Sequence, residues 1–118
     1  MEIAEFFTDW PESARIFESL RAAVENLGET EMHVTKSQIA FRRRTGFAWA
    51  WVPGKYLGGN RPPLVLSISF RHRDSSVRWK EVVEPARGRF MHHLELTEAG
   101  DIDDQVRLWL YEAWVEAG

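Results

Sequence analysis

The sequence predicts an α+β fold: an antiparallel sheet of four to five strands, with an N-terminal and a C-terminal helix packed on one face. Three observations predict it. Apolar residues recur at helical spacing near both ends of the chain, at Ile16, Phe17, Leu20, Val24 and Leu27 and again at Ile102, Val106, Trp109, Leu110, Ala113 and Ala117. Between them, apolar and other residues alternate in short runs separated by turn residues. Helices with one apolar face need an apolar sheet face to cover, and the alternating runs supply one.

Each element has its own signal. Residues 2–7 form a short helix with Ile3, Phe6 and Phe7 on its apolar side. Pro11 opens a longer helix at a first-turn position, where its missing N–H costs nothing, and Gly28 stops it, giving a helix over about 11–27. Residues 32–34 are a short strand candidate. Residues 38–44 alternate, with Ile39 and Phe41 on one side and Gln38, Ala40, Arg42 and Arg44 on the other. Thr45-Gly46 makes a hairpin turn. Residues 47–52 alternate again, Phe47, Trp49 and Trp51 against Ala48, Ala50 and Val52. Residues 53–63 are a loop with three Gly and three Pro. The clearest strand spans 64–71, with Leu64, Leu66, Ile68 and Phe70 opposite Val65, Ser67, Ser69 and Arg71. Residues 72–89 read as a polar loop in which Trp79, Val82 and Val83 line a short helix or an extended arm, poised as a lid. Residues 90–96 are the last strand, and Asp101 caps a final helix over about 102–117. No repeat or linker divides the chain, so 1–118 is read as one domain.

Composition narrows the class. Hydrophobic residues make up 44% of the 118 residues and charged ones 28%, which is a globular balance rather than a disordered one. There is no Cys, which excludes a thiol nucleophile and a thiolate-held metal or cluster. No apolar run is long enough to span a membrane, and the acidic N-terminus lacks the form of a signal peptide, so a cytoplasmic location is expected.

Charge is segregated beneath a net value of −3. Residues 1–32 carry −6, residues 33–93 carry +9 and residues 94–118 carry −6, and all four His lie in the middle segment. Either acidic helices flank a basic sheet and the fields partly cancel, or the basic face gathers an anion.

The candidate site follows from strand parity. The sheet face away from the helices displays Lys36, Arg42, Arg44, Ser67, Ser69, Arg71 and His93, over a low floor of Ala40, Ala48 and Ala50. Arg78 and Lys80, with Arg87 and Arg89, extend its basic rim. Arg offers a planar fork to carboxylate or phosphate, and Ser a hydroxyl donor. A one-residue slip of register reverses every one of these assignments. His92 and His93 point to opposite faces: His92 has core parity, and His93 is the site candidate, a donor or general acid/base. The stripe Phe47, Trp49 and Trp51 is read first as core. If Ala48 and Ala50 face a helix instead, Trp49 and Trp51 become a stacking platform.

No metal site and no cofactor are expected. The His residues lack H-x-x-x-H or H-E-x-x-H spacing, Asp101, Asp103 and Asp104 fit helix capping, and no G-x-G-x-x-G, G-x-x-x-x-G-K-[ST] or G-x-S-x-G occurs.

The run 34–44 (VTKSQIAFRRR), Gly46-Phe47-Ala48-Trp49, the stretch 78–85 (RWKEVVEP), and Arg89 with His92-His93-Leu94 together resemble an uncharacterised bacterial family, domain of unknown function 5655. The resemblance covers about residues 12–117. It implies a small α+β domain, sometimes appended to others, and carries no established catalytic residues.

The resulting expectation is a binding module for a small anionic or phosphorylated ligand on the basic open face. A nucleic-acid-interacting accessory domain using the same bases with Trp49 and Trp51 is the alternative. A protein-interaction domain follows, and a His/Arg-dependent enzyme comes last. The oligomeric state stays open, a homodimer included.

Overall fold

The computed structural model describes residues 1–118. One six-stranded sheet is built of β1 (Glu31–Val34), β2 (Ile39–Arg42), β3 (Gly46–Trp51), β4 (Leu64–Phe70), β5 (Glu81–Ala86) and β6 (Arg89–Leu96). Its spatial order is β1-β2-β3-β4-β6-β5, and every neighbouring pair is antiparallel. Three helices, α1 (Ile3–Phe6), α2 (Pro11–Glu25) and α3 (Asp104–Glu116), complete the fold. The class is the predicted α+β. The strand count is six rather than four or five, because residues 81–86 form a strand and not a helix, arm or lid.

That strand was obscured by Pro85 and by a polar sequence. Pro85 cannot donate to a ladder, but β5 is an edge strand, and its register with β6 shifts between Val83 and Ala86 where the Pro sits. Val82, opposite His92, turns inward and packs against the core.

The helices cover one face only. Ile39, Phe41, Ala48, Ala50, Leu64, Leu66, Ile68, Phe70, Leu94 and Leu96 are all buried there together with Phe17 and Leu20 of α2 and Trp109 and Leu110 of α3. Register fixes the sidedness: Phe41, Ala48, Ile68 and His92 stand in one row across the sheet, and Ile39, Ala50, Leu66 and Leu94 in the next. Ala48 and Ala50 therefore face the helices, which corrects the reading that put them on the open floor. The physical reason is space. α3 packs over β3 and β4 and brings the bulk of Trp109 and Leu110, so small residues beneath it let the layers close. Phe47 remains buried, while Trp49 and Trp51 lie on the other face, only half-buried.

The ends of α3 are tied down. Its N-cap is Asp103, whose carboxylate accepts from the Val106 N–H at 3.0 Å. Asp101, expected in that role, instead accepts from the backbone N–H groups of Thr97 and Glu98 and from the Thr97 hydroxyl. At the C-terminal end, the Ala117 carbonyl accepts from the N–H groups of Arg44 and Thr45 in the β2–β3 turn. Trp114 lies over Gly28, whose φ of +141° suits glycine, and a Cβ there would stand 2.7 Å from the indole. No helix is long and apolar enough to cross a membrane.

Candidate functional site

The sheet face opposite the helices carries a row of residues set by register: His33 beside Ala40, then Trp49, Ser67, His93 and Glu81. Trp51, Val65 and Glu95 form the next row. Two depressions lie along this face, one against each half-buried tryptophan.

The larger is a cleft of about 750 Å³ whose walls include Gln38, Ala40, Arg42, Trp49, Ser69, Arg71 and Arg89, with His33 and Glu116 at its border. Three guanidinium groups thus meet a single carboxylate. That carboxylate is engaged, since Glu116 accepts from the Arg71 N–H at 2.8 Å, and the Arg71 guanidinium donates to the Glu116 carbonyl. Arg89 sits 5.8 Å from the Trp49 ring centre and donates a long hydrogen bond of 3.4 Å to the Ser69 hydroxyl. Arg42 extends from the end of β2 and makes no side-chain hydrogen bond or ion pair. Trp49 rests on Gly46, where a Cβ would come within 2.8 Å of the indole. Gly46 therefore sets how flat the ring can lie.

The smaller depression, about 150 Å³, is lined by Trp51, Pro53, Leu57, Arg61, Pro62, Val65, Lys80, Glu81, His93 and Glu95. Two of its lining residues are joined through Ser67, which lies beneath them. The Trp51 indole N–H donates to the Ser67 hydroxyl oxygen at 3.3 Å, and Ser67 lies 2.7 Å from His93 Nδ1. An indole N–H can only donate, so Ser67 accepts from it; the hydroxyl keeps a second lone pair as well as its proton, so it pairs with Nδ1 in either tautomer of His93. His93 Nε2 has no partner in the protein. Burial pushes the His93 pKa below its ordinary value, against the opposing charge of Glu81.

His92, on the opposite face, is fully buried and uses all of its capacity internally. Its Nε2 accepts from the Asp74 N–H at 2.9 Å, so the proton is on Nδ1, shared between the carbonyls of Ile68 and Phe90. Burial lowers its pKa as well, outweighing the backbone acceptors that favour the charged form. This is the satisfied core histidine that parity indicated.

The sequence-derived residues divide accordingly. Arg42, Ser69, Arg71 and Trp49 gather in the larger cleft, and Trp51, Lys80 and His93 in the smaller one. Ser67 stands between the two tryptophans as a buried link. Lys36 lies in the β1–β2 turn, where the Tyr56 hydroxyl reaches its carbonyl, and lines neither depression. Arg44 lies in the β2–β3 turn. The Arg78 guanidinium donates to both Asp103 carboxylate oxygens, to Gln105 and to the Asp101 carbonyl, at the start of α3, and lines neither depression. Its assignment to the basic rim is corrected to a structural tie, because residues 74–79 pack toward the helix layer, through Trp79 on Trp109, before Lys80 returns to the open face. Arg61, Glu81 and Glu95 were not singled out by sequence. Parity with His93 reaches Arg89 and Glu95, and β5 pairing reaches Glu81, but nothing in the sequence marks Arg61.

Among known proteins, the model of the family described as Domain of unknown function (DUF5655) matches residues 3–116, nearly the whole chain. The chain belongs to that family. No curated protein and no solved structure matches it.

Proposed function

We propose that this member of the family is a binding module that takes a small anionic ligand, phosphorylated or carboxylated, in the open-face cleft between Arg42 and Arg89. One observation carries the reading: three arginines line the cleft with a single carboxylate, Glu116, which the Arg71 backbone N–H and His72 already face, and none of the three guanidinium groups forms an ion pair, although Glu31 stands across the strand pair from Arg42. Guanidinium forks so placed suit bidentate recognition of phosphate or carboxylate. The half-buried Trp49 ring beneath them adds a surface for a flat or apolar part of the same ligand.

A second reading, a single-stranded nucleic acid lying on Trp49 and Trp51, is favoured by the two half-buried indoles on one face. Charge weighs against it. Past Trp49 the face presents Glu81 and Glu95 together with Arg61 and Lys80, so the cationic track does not continue.

Titration calorimetry with pyrophosphate and citrate, set beside a short single-stranded oligonucleotide at several salt concentrations, tests the two readings. The expected result is saturable binding of a small anion with a gentle salt dependence, weakened tenfold or more by Arg42→Ala or Arg89→Ala. Binding confined to the oligonucleotide, with an affinity that falls steeply with salt, supports the nucleic-acid reading. No binding of either overturns both.

A further inference from the structure

The smaller cavity is built differently from the cleft beside it. Its tryptophan is fixed by a hydrogen bond to Ser67, and the same hydroxyl engages His93 Nδ1. The cavity therefore offers an unpartnered imidazole nitrogen, Nε2, of fixed direction beside an aromatic side chain; with the Ser67 hydroxyl donating to Nδ1, that nitrogen carries the ring proton. Beside it stand two acceptors, Glu81 across the β5–β6 pair and Glu95 two residues along β6, neither of which forms an ion pair. Together these are a planar platform, one oriented imidazole nitrogen and two carboxylate acceptors, in about 150 Å³. With Arg61 and Lys80 at the rim, the formal charges balance, which suits an uncharged ring and not a second anion.

We propose that this cavity is the ring subsite of a nucleotide-class ligand: Trp51 stacks an uncharged heteroaromatic base, His93 Nε2–H donates to a ring nitrogen or carbonyl, and Glu81 or Glu95 accepts from an exocyclic amino group. The proposal rests on the anion reading of the neighbouring cleft, where Arg42 and Arg89 hold the phosphate. Trp49 and Trp51 are two residues apart on one face of β3, about 7 Å along the strand. The Arg89 guanidinium lies 5.8 Å from the Trp49 ring, so a phosphate held there is one pentose away from a base on Trp51. The arrangement fits one nucleotide, and the balanced charges of the cavity offer no cationic seat for a further phosphate. Base stacking on an indole is tolerant of sequence, so discrimination between bases falls to His93 and the carboxylates.

The experiment compares pyrophosphate, ribose 5-phosphate, adenosine monophosphate and cytidine monophosphate by calorimetry at fixed salt, with tryptophan fluorescence as a second readout. At least one nucleotide is expected to bind tenfold or more tighter than ribose 5-phosphate and to quench fluorescence where ribose 5-phosphate does not. His93→Ala is expected to bring that nucleotide close to the affinity of ribose 5-phosphate. His93→Gln, which keeps an N–H donor, is expected to restore part of the difference. Equal affinities for ribose 5-phosphate and both nucleotides overturn the ring subsite and leave the anion cleft standing. An intact nucleotide preference in His93→Ala, with native stability, overturns the role of His93 and with it the subsite as drawn. Absence of binding by all four compounds overturns the anion cleft, and the subsite falls with it.

Discussion

His92 and His93 are neighbours in sequence, and they divide the molecule between its two faces. His92 looks into the helix layer, where every hydrogen-bonding position of its ring is taken by the protein. His93 looks out from the opposite side, where one nitrogen is engaged by Ser67 and the other is left over. Burial disfavours charge on both rings. The contrast shows what separates a structural histidine from a candidate binding one. A shifted pKa does not distinguish them, whereas exposure and the unpartnered ring nitrogen do. The same division runs through the whole sheet: the helix face holds the core, and the open face holds arginines without ion pairs and two half-buried indoles.

The largest effect that would break this division lies at His92. His92→Leu strands the Asp74 N–H and removes the donor shared by two buried carbonyls, so a loss of about 1–3 kcal/mol is expected in urea denaturation at pH 7.5. Anion binding should be unchanged. The pH dependence sharpens the point. Both histidines are held below the ordinary value of 6.5, so as pH falls through that value the unfolded chain takes up protons before the folded one does. Stability is therefore full above about pH 6.5 and declines as pH falls toward the folded-state values. The decline should be shallower in His92→Leu, as read from denaturation midpoints between pH 7.5 and pH 5. An unchanged slope would mean that His93 alone carries it.

A smaller effect is expected at Arg78, which the sequence assigned to the rim of the open face and the structure attaches to α3. Arg78→Ala should cost about 1 kcal/mol, since Asp103 is half-exposed and the pair is partly screened. Its affinity for pyrophosphate should match that of the unaltered chain. A loss of affinity without a loss of stability would return Arg78 to the ligand site. The Arg78 guanidinium also holds the Asp103 carboxyl below the usual carboxylate range. The stability it contributes is present above the ordinary value of 3.8 and is lost as pH falls below it, so Arg78→Ala should flatten the acid limb of the stability curve.

The smallest expected effect is at Gly46. A methyl group there meets the Trp49 indole and must tilt it. Gly46→Ala should cost less than about 1 kcal/mol, because the ring faces the open side. It should weaken anion binding several-fold and shift the tryptophan emission. An unchanged affinity would separate the arginines of the cleft from the ring beneath them.

Much of this was written in local pattern. Helical spacing placed α2 and α3 within a few residues of their bounds, because a one-sided apolar stripe has few alternatives. Strand parity placed Leu64 to Phe70 correctly, and it sent His92 and His93 to their proper faces. Parity failed for β3. A rule that buries the larger side chain put Trp49 and Trp51 inside, whereas the thickness of α3 decides the matter and sends Ala48 and Ala50 there. That is a tertiary constraint no single strand contains. β5 escaped because its Pro and its charges suit an edge strand as well as they suit a loop. Arg78 was misplaced for a related reason. Its partners, Asp101 and Asp103, lie more than twenty residues away, and only the folding of the 72–80 segment brings them together.

That segment is held by Trp79, whose indole N–H donates to Asp74 and whose ring lies 4.0 Å from that of Trp109, with 31° between their planes. Two indoles so close couple their electronic transitions, and such a pair contributes a split band of paired sign to the ultraviolet circular dichroism spectrum. The band belongs to the helix side of the sheet, whereas Trp49 and Trp51 dominate any fluorescence response on the open side. The chain thus carries two optical reporters, one for the docking of a loop on a helix and one for events at the cleft, each readable without a label.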